Sequence, residues 1–427
     1  MFAAHGFRVC GTVGTVALTA TDVVTPIARY ARRFHAIAGS RHHVASPLGA
    51  WLLLALCAPA SDGQTRDLLN AALGCDARDA AELAAGLLAS PHPLVAAAAG
   101  VWHRGALSGA QARWMAGLPA DVQTGPLTTQ AALDDWARRH TFGLIERFPV
   151  ALDPSIYLVI ATALATRVSW ERPFELASAS ALGPSSPWAT GLSRVLQTPH
   201  GPGHEQFVAA TQAAGDVAVH AARARDGLLV ASVAADPAVP AGDVLAAAYE
   251  LAPALATGAR VARRSLFDLP LGEGPLWSVT ETTAPVKSGA AREERCTAVL
   301  PAWTARSEFD LSDAELGFGA AAKALAPGDP WQAKQVAMAR YTRVGFEAAA
   351  VSAIAVALSM RVPRTGLVRT AELRFGHPYA VVAVTADRPG PGWPAPQDPS
   401  PWSGLPVFSA WVAQPEDAEP EDPARPA

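Results

Sequence analysis

Helical patterns of apolar residues dominate the first third of the chain. Over residues 22–39 most arginines lie off one helical face, on which four apolar residues recur: Val23, Ile27, Ala31 and Phe34. Ser46 followed by Pro47 is typical of a helix start, since proline suits the first helical position. Further helices are predicted over residues 76–90 and from about Thr128 to Gly143.

Strand patterns dominate most of the remaining chain. Buried or alternating runs predict strands over residues 93–103, 155–170 and 332–350, and over two segments around residues 373–387 and 404–415. Residues 216–236 alternate around the turn sequence Arg-Asp-Gly and predict a β-hairpin. Residues 296–311 are interpreted as a strand that leads into a helix. Since helices and strands are segregated along the chain, the pattern predicts an α+β fold with large antiparallel sheets, not a doubly wound parallel sheet.

Length and charge narrow the classes of function. The chain has 427 residues, of which 50% are hydrophobic and 17% are charged, so it can bury one unusually large core or two ordinary ones. A net charge of -4 gives no electrostatic reason to expect a nucleic-acid partner. No apolar run reaches the roughly 20 residues of a membrane span, so no membrane partner is expected.

The cysteines and the two ends of the chain indicate no special chemistry. Cys10, Cys57, Cys75 and Cys296 are scattered, which favours free or buried thiols over a disulfide framework or a zinc site. The first 24 residues make a poor secretion signal, so an intracellular chain is favoured and an extracellular one is the alternative. The acidic, proline-rich tail, residues 416–427, is expected to be disordered.

Catalytic motifs are not found. The histidines of "PHGPGHE", His200 and His204, lie near Glu205 and suggest either a metal site or, as we favour without further ligands nearby, a surface loop. His42 and His43 are expected to cap a helix or face solvent. No cofactor, metal or enzymatic activity is therefore expected, although a hydrolase assembled only by folding would escape such a search.

An alanine-rich segment near the C-terminus, residues 341–366, carries the most specific signal. In "RVGFEAAAVSA" seven positions form a hinge-like pattern: Gly345, Phe346, Glu347, Ala348, Ala349, Ala350 and Ser352. Five other segments carry motifs in a fixed order along the chain, namely "VASPLGAWLLLAL", "DGQTRDLL", "LDDWARRHTFGLI", "LVIATALATRVSWERPF" and the closing "FGHPY…GLPVFSAWVAQP". With these six segments in this order, the chain resembles the serpins, the serine protease inhibitors, over nearly its whole length.

The resemblance implies a single domain over residues 22–415, preceded by an extension, residues 1–21. It implies a large central β-sheet, two smaller sheets, a helical cap and an exposed reactive loop near the C-terminus. A protease cleaves the loop and is trapped as a covalent acyl-enzyme while the loop inserts into the central sheet. Alternate hinge side chains must then face the core, which explains a row of small residues and one isoleucine: Ala348, Ala350, Ser352 and Ile354.

Departures from the family pattern leave a second function open. Phe346 stands where the family has a small residue, and packing its ring into the sheet is expected to cost on the order of 1–3 kcal/mol. In the sheet-opening region, which is matched by Ser46, Thr162, Trp170 and Gln335, Thr162 and Gln335 replace family Asn and His. Arg343 replaces an acidic hinge residue. A non-inhibitory serpin that acts as a binding or chaperone-like module is the alternative.

The usual spacing from the hinge glycine predicts a reactive bond between Ser359 and Met360. A longer loop would shift the cleaved residue to one of three alternatives: Leu358, Arg361 or Arg364. Leu358 or Met360 would suit a chymotrypsin- or subtilisin-like protease, and either arginine a trypsin-like one. The expected partner is a serine protease, with a cysteine protease as the alternative, and the chain is expected to be a monomer.

Overall fold

Helices lead and strands follow, so the α+β class expected from the sequence is confirmed. The computed structural model describes residues 20–166, 168–225, 227–286, 291–329, 331–346, 365–386 and 400–420. Within these ranges the helices are α1 (Ala20–Ala38), α2 (Pro47–Cys57), α3 (Gly63–Leu73), α4 (Ala77–Ala89), α5 (Gly109–Ala116), α6 (Gln130–His140), α7 (Ala241–Thr257) and α8 (Phe318–Leu325). None of these is long and apolar enough to cross a bilayer.

The strands of the same ranges follow in chain order. They are β1 (His43–Ala45), β2 (Val95–His103), β3 (Val122–Pro126), β4 (Leu158–Thr166), β5 (Val168–Ser169), β6 (Glu175–Ser178), β7 (Arg194–Gln197), β8 (His204–Thr211), β9 (Gly215–Ala224), β10 (Leu228–Ala234), β11 (Gly272–Glu273), β12 (Trp277–Pro285), β13 (Arg292–Leu300), β14 (Trp303–Asp310), β15 (Lys334–Tyr341), β16 (Gly345–Phe346), β17 (Thr365–Arg374), β18 (Tyr379–Thr385) and β19 (Pro406–Val412).

Two six-stranded sheets frame the molecule. One has the order β1-β19-β18-β10-β9-β8, and α7 covers the face that carries the buried valines and alanines of β10 and β18. The other has the order β11-β12-β17-β13-β7-β6 and is antiparallel except for the parallel pair β13-β17. Helix α2 lies in the largest apolar core, where Leu48, Trp51 and Leu54 are fully buried.

A central layer of strands consists of two groups that share no hydrogen-bonded register in the described ranges. The first group has the order β3-β2-β4, and the second is the pair β14-β15. Strand β4 makes its nine pairs with β2 only, and β15 makes its eight with β14 only. The edges of β4 and β15 therefore lack a described backbone partner.

Several sequence expectations need correction. Residues 296–311 form two strands, because Pro301 interrupts the backbone ladder between β13 and β14, and no helix follows directly. His43 is not exposed: it is 3% accessible in β1. His204 and Glu205 are not in a loop but begin β8. The packed chain also continues past residue 415, since Asp417 accepts hydrogen bonds from Ser193 N and Arg194 N.

Free thiols were expected for all four cysteines. Cys57, Cys75 and Cys296 are free, and Cys10 lies outside the described residues. Burial raises the pKa of Cys57 to about 12, and burial followed by nearby carboxylates raises those of Cys75 and Cys296 to about 11. These thiols are therefore protonated and poorly nucleophilic near neutral pH.

Candidate functional site

The hinge begins as a tight reversal of the chain after β15. Thr342 N donates to Gly345 O at 3.0 Å, and the Thr342 hydroxyl donates to the same oxygen at 3.0 Å. Beyond this turn β16 runs antiparallel to β5, with Gly345 opposite Ser169 and Phe346 opposite Val168. The chain therefore turns back along the extension of β4, which points it toward the space between β4 and β15.

Close approach of two backbones explains the glycine at this turn. A Cβ on Gly345 would lie far inside the van der Waals contact distance of Val168 O and 3.1 Å from Ser169 Cα. Gly345 is not among the described glycines with positive φ. Gly345 is therefore required for a steric reason: only a residue without a side chain fits against β5 here.

Trp170, which follows β5, binds the turn through hydrogen bonds from its side chain and its backbone. Its indole Nε1 donates to Thr342 O at 3.0 Å, its backbone N donates to Val344 O at 3.1 Å, and the side chain is 1% exposed. The indole lies 5.0 Å from the ring of Tyr341, which stacks on Trp303 at 5.9 Å. A buried aromatic cluster therefore holds the last residue of β15 and the first residues of the hinge in one rigid unit.

Two buried histidines lie behind this cluster. His204 Nε2 donates to Arg172 O at 2.7 Å, which leaves Nδ1 to accept from His220 Nε2 at 3.1 Å. Burial lowers the pKa of His204 to about 4, and burial, followed by the neighbouring His204, lowers that of His220 well below its ordinary value. The pair is neutral near pH 7. The metal alternative gains no support, since the described residues include no cluster of three metal-ligating side chains.

The other sheet-opening residues lie lower, where α2 begins. Gln335 Oε1 accepts from Ser46 N at 2.9 Å, and Gln335 Nε2 donates to Ser46 O at 2.8 Å. The Thr162 hydroxyl donates to Gly49 O at 2.7 Å. Thr162 on β4 and Gln335 on β15 therefore bind the same helix N-terminus instead of each other. Each half of the central layer is tied to α2 independently by uncharged groups.

A cleft of about 260 Å³ opens between β4 and β15. The start of α2 and β19 line it, as do the segment that follows α6 and the helix α8, with apolar side chains including Leu53, Phe148, Ile160, Phe318 and Leu325. Because the flanking edges of both strands lack a partner among the described residues, an extended peptide would fit this space better than a compact ligand.

The remaining residues of the expected site lie outside the described residues. They are the hinge residues Glu347, Ala348, Ala349, Ala350 and Ser352, and the candidates for the cleaved bond, Leu358, Ser359, Met360, Arg361 and Arg364. The structure thus places Ser46, Thr162 and Gln335 in the lining of the cleft, and it brings Trp170 and Gly345 together at β5, beyond the lined part of β4 and β15.

Sequence reasoning missed a second buried network. His35 Nδ1 and His43 Nε2 lie 2.7 Å apart, and His35 Nε2 lies 2.7 Å from Ser409 Oγ, which accepts from the Tyr249 hydroxyl at 2.8 Å. Burial lowers the pKa of His35 to about 3, with a smaller contribution from His43. The sequence did carry a signal for this burial: His35 and His43 stand at helix and strand positions that are otherwise filled by apolar residues.

Comparisons with known proteins identify the architecture. No family model and no curated protein matches the sequence. Solved structures do: the thermophilic serpin tengpin in its native state matches with TM-score 0.60 and 13% identity over 92% of this chain and 93% of that one. Human thyroxine-binding globulin in complex with thyroxine matches with TM-score 0.61 and 12% identity over 94% of this chain and 100% of that one.

The structure of a cleaved serpin matches as well. Cleaved Serpin 42Da has TM-score 0.58 and 13% identity over 96% of this chain and 100% of that one. The matched proteins thus include serpins and a thyroxine-binding globulin, at identities that carry no function to this chain. The architecture is nevertheless settled: this chain has the serpin fold.

Proposed function

We propose that this chain is a divergent serpin that inhibits a serine protease by loop cleavage, loop insertion and covalent trapping. The observation that carries the proposal is the turned-back hinge at the head of the cleft. Gly345 and Phe346 already pair with β5, and below them β4 and β15 present edges without described partners. A strand continued from β16 would pair with both edges.

The hinge register indicates which residues would fill the cleft. Since Phe346 lies opposite Val168 and the strands are antiparallel, uninterrupted pairing would bring residue 356 opposite Leu158 at the far end of β4. About ten residues would insert, each contributing roughly 1 kcal/mol of net hydrogen bonding. The small residues Ala348, Ala350 and Ser352 alternate on the face that would turn toward the core.

Insertion of the cut loop competes with hydrolysis of the ester bond that links the protease to it. The protease serine attacks the carbonyl of residue 359, the bond to Met360 breaks, and the protease remains esterified to the new C-terminus. Water then releases the protease unless insertion carries it away first. The outcome depends on the ratio of two rates, so a small barrier in the hinge converts an inhibitor into a substrate.

A binding module is the second candidate function. The likeness to human thyroxine-binding globulin supports it, together with the bulky residue at position 346 and an apolar cleft of about 260 Å³. In this case the loop would be cleaved without trapping the protease.

One experiment separates the two functions. The chain is incubated with trypsin, chymotrypsin and subtilisin, and products are separated in SDS and weighed by mass spectrometry. An SDS-resistant species at the summed mass supports inhibition. Cleavage with no such species and no rise in Tm supports the binding module. The mass of the released C-terminal fragment locates the cleaved bond, and a cut outside residues 357–365 would contradict the register from Gly345.

A further inference from the structure

Two glycines shape a second pocket, which lies between the edge strand β3 and helix α6. Gly100 and Trp102 face the same side of β2, and a Cβ on Gly100 would overlap the Trp102 ring. The indole therefore lies back along its own strand. Gly125 pairs with Trp102 across the sheet, and a Cβ there would come no closer than 3.9 Å, to Trp102 Cδ1. The missing side chain of Gly125 thus leaves open space beside the indole.

Helix α6 closes this pocket with a second tryptophan. The pocket has a volume of about 260 Å³, and Leu133 and Trp136 line it together with Trp102. The two indole rings meet edge to face with their centroids 5.1 Å apart, and both tryptophans are buried. A dry cavity of about 150 Å³ is enough to bind benzene, so this space holds a ligand of one or two rings. A flat aromatic ligand suits such walls, because aromatic rings pack favourably on indoles in offset or edge-to-face contact.

The same pocket is bordered by two hydrogen-bond donors that have capacity to spare. Trp136 Nε1 is buried and makes no hydrogen bond to a described residue, although a buried indole N–H usually has an acceptor. Arg139 lies one turn further along the same face of α6 and is exposed at the rim. Its Nε donates to Asp135 O at 3.3 Å, and the described residues provide no carboxylate for its guanidinium. An anionic acceptor at this rim would satisfy both groups.

We propose that the pocket between β3 and α6 binds a small aromatic carboxylate. The ring of the ligand lies against Trp102 and Leu133 in the space left by Gly125, and its carboxylate accepts from Arg139 and from Trp136 Nε1. This inference does not rest on the proposed function, since none of the described hinge residues lines the pocket.

The test uses 2-naphthoate as the probe, with the full chain. Binding is measured by isothermal titration calorimetry and by the rise of Tm with ligand concentration. A Kd on the order of 0.1 mM is expected for a ligand of about 13 heavy atoms. Two matched ligands separate the contributions: 2-naphthamide lacks the charge, and cyclohexanecarboxylate lacks the aromatic ring. Each is expected to bind about tenfold more weakly.

Three substitutions assign the ligand to this pocket. G125V fills the open space and is expected to raise the Kd at least about 30-fold. R139Q removes the cation and W136F removes the indole N–H, and each is expected to raise the Kd about fivefold. R138Q is the matched control, because Arg138 pairs with Asp135 on the same helix and does not line the pocket, so it should leave the Kd unchanged.

Two results would overturn the proposal. One is a wild-type chain that shows neither heat of binding nor a rise in Tm at about 10 mM 2-naphthoate. The other is binding that G125V and R139Q both leave unchanged, since the ligand would then lie elsewhere, for example in the cleft that Trp136 also borders. The Tm of each variant without ligand shows whether it folds. If G125V does not fold, the comparison of R139Q with R138Q decides the question.

Discussion

Replacing Gly345 with alanine tests the hinge most directly. The new Cβ would overlap Val168 O and press on Ser169 Cα, so β16 must move away from β5. Two register pairs are lost, and at roughly 1 kcal/mol of net stabilisation for each hydrogen bond the seated hinge loses about 2 kcal/mol. Before cleavage β16 relieves the clash by moving away from β5. Insertion must form this pair against the clash, because it is the first pair of the new strand, so the cost is added to the insertion barrier.

A barrier raised by about 2 kcal/mol slows insertion roughly 30-fold while leaving hydrolysis of the acyl-enzyme unchanged. A chain that traps about nine proteases for each one released would then trap about 0.3 for each one released. The assay titrates protease with inhibitor and measures the inhibitor consumed for each stable complex. The gain of Tm after cleavage, followed in time, measures insertion without any target protease.

Gly86→Ala is the matched control, because a Cβ at this position of α4 meets no atom within 4 Å. G86A is expected to behave as wild type in both assays. If G345A forms complexes with the stoichiometry of wild type and gains stability at the same rate after cleavage, close packing of the hinge against β5 does not govern insertion, and the steric reasoning is wrong.

Four further results are expected. Q335A removes two hydrogen bonds from the Ser46 backbone and should lower the free energy of unfolding, measured by urea titration, by about 2 kcal/mol. The control Q332A, at an exposed position, should change this free energy little, and equal effects of the two substitutions would contradict the role of Gln335. Phe142 is the non-glycine residue with positive φ (52°) in the described ranges and is 44% exposed, so F142N should stabilise the fold by about 1 kcal/mol, and a loss of stability would show that its ring packs usefully. F346T should speed insertion after cleavage severalfold to about 30-fold if the ring is overpacked, and an unchanged rate would show that it is not. His35 and His204 have folded-state pKa values of about 3 and about 4, against about 6.5 in the unfolded chain. Their contribution to the free energy of unfolding is therefore present above pH 6.5 and is lost as the pH falls toward the folded-state values. Each histidine should lower the free energy of unfolding by about 2 kcal/mol between pH 7 and pH 5, and a Tm independent of pH in this window would contradict their burial as neutral groups.

Much of the architecture was readable from short-range patterns. Ser46 and Pro47 begin α2 as expected, with the Ser46 hydroxyl accepting from Gly49 N, because helix capping depends on residues that are neighbours in the chain. The hairpin of β9 and β10 was likewise predicted from alternation around a turn. The alanine-rich segment after Tyr341 identified the family resemblance, since its small residues are needed for one unusual function.

Pairing between distant segments was not readable in the same way. Nothing in "LWSVTETTAPV" indicated that β12 would cover β17, because strand partners separated by 88 residues are chosen by tertiary packing. The burial of His43 and His204 was misjudged for a similar reason: a histidine appears polar until a second histidine from elsewhere in the chain satisfies it.

The amino-acid order alone determined the class of the fold and the capped helix α2, and it predicts a hinge of small residues, since these depend on local backbone preference and side-chain size. Only the tertiary structure decided that Gly345 is required by its contact with Val168, that Thr162 and Gln335 bind one helix N-terminus separately, and that β17 is enclosed on both edges. Those features depend on which remote atoms come within a few ångströms of each other, a quantity set by the packing of the whole chain.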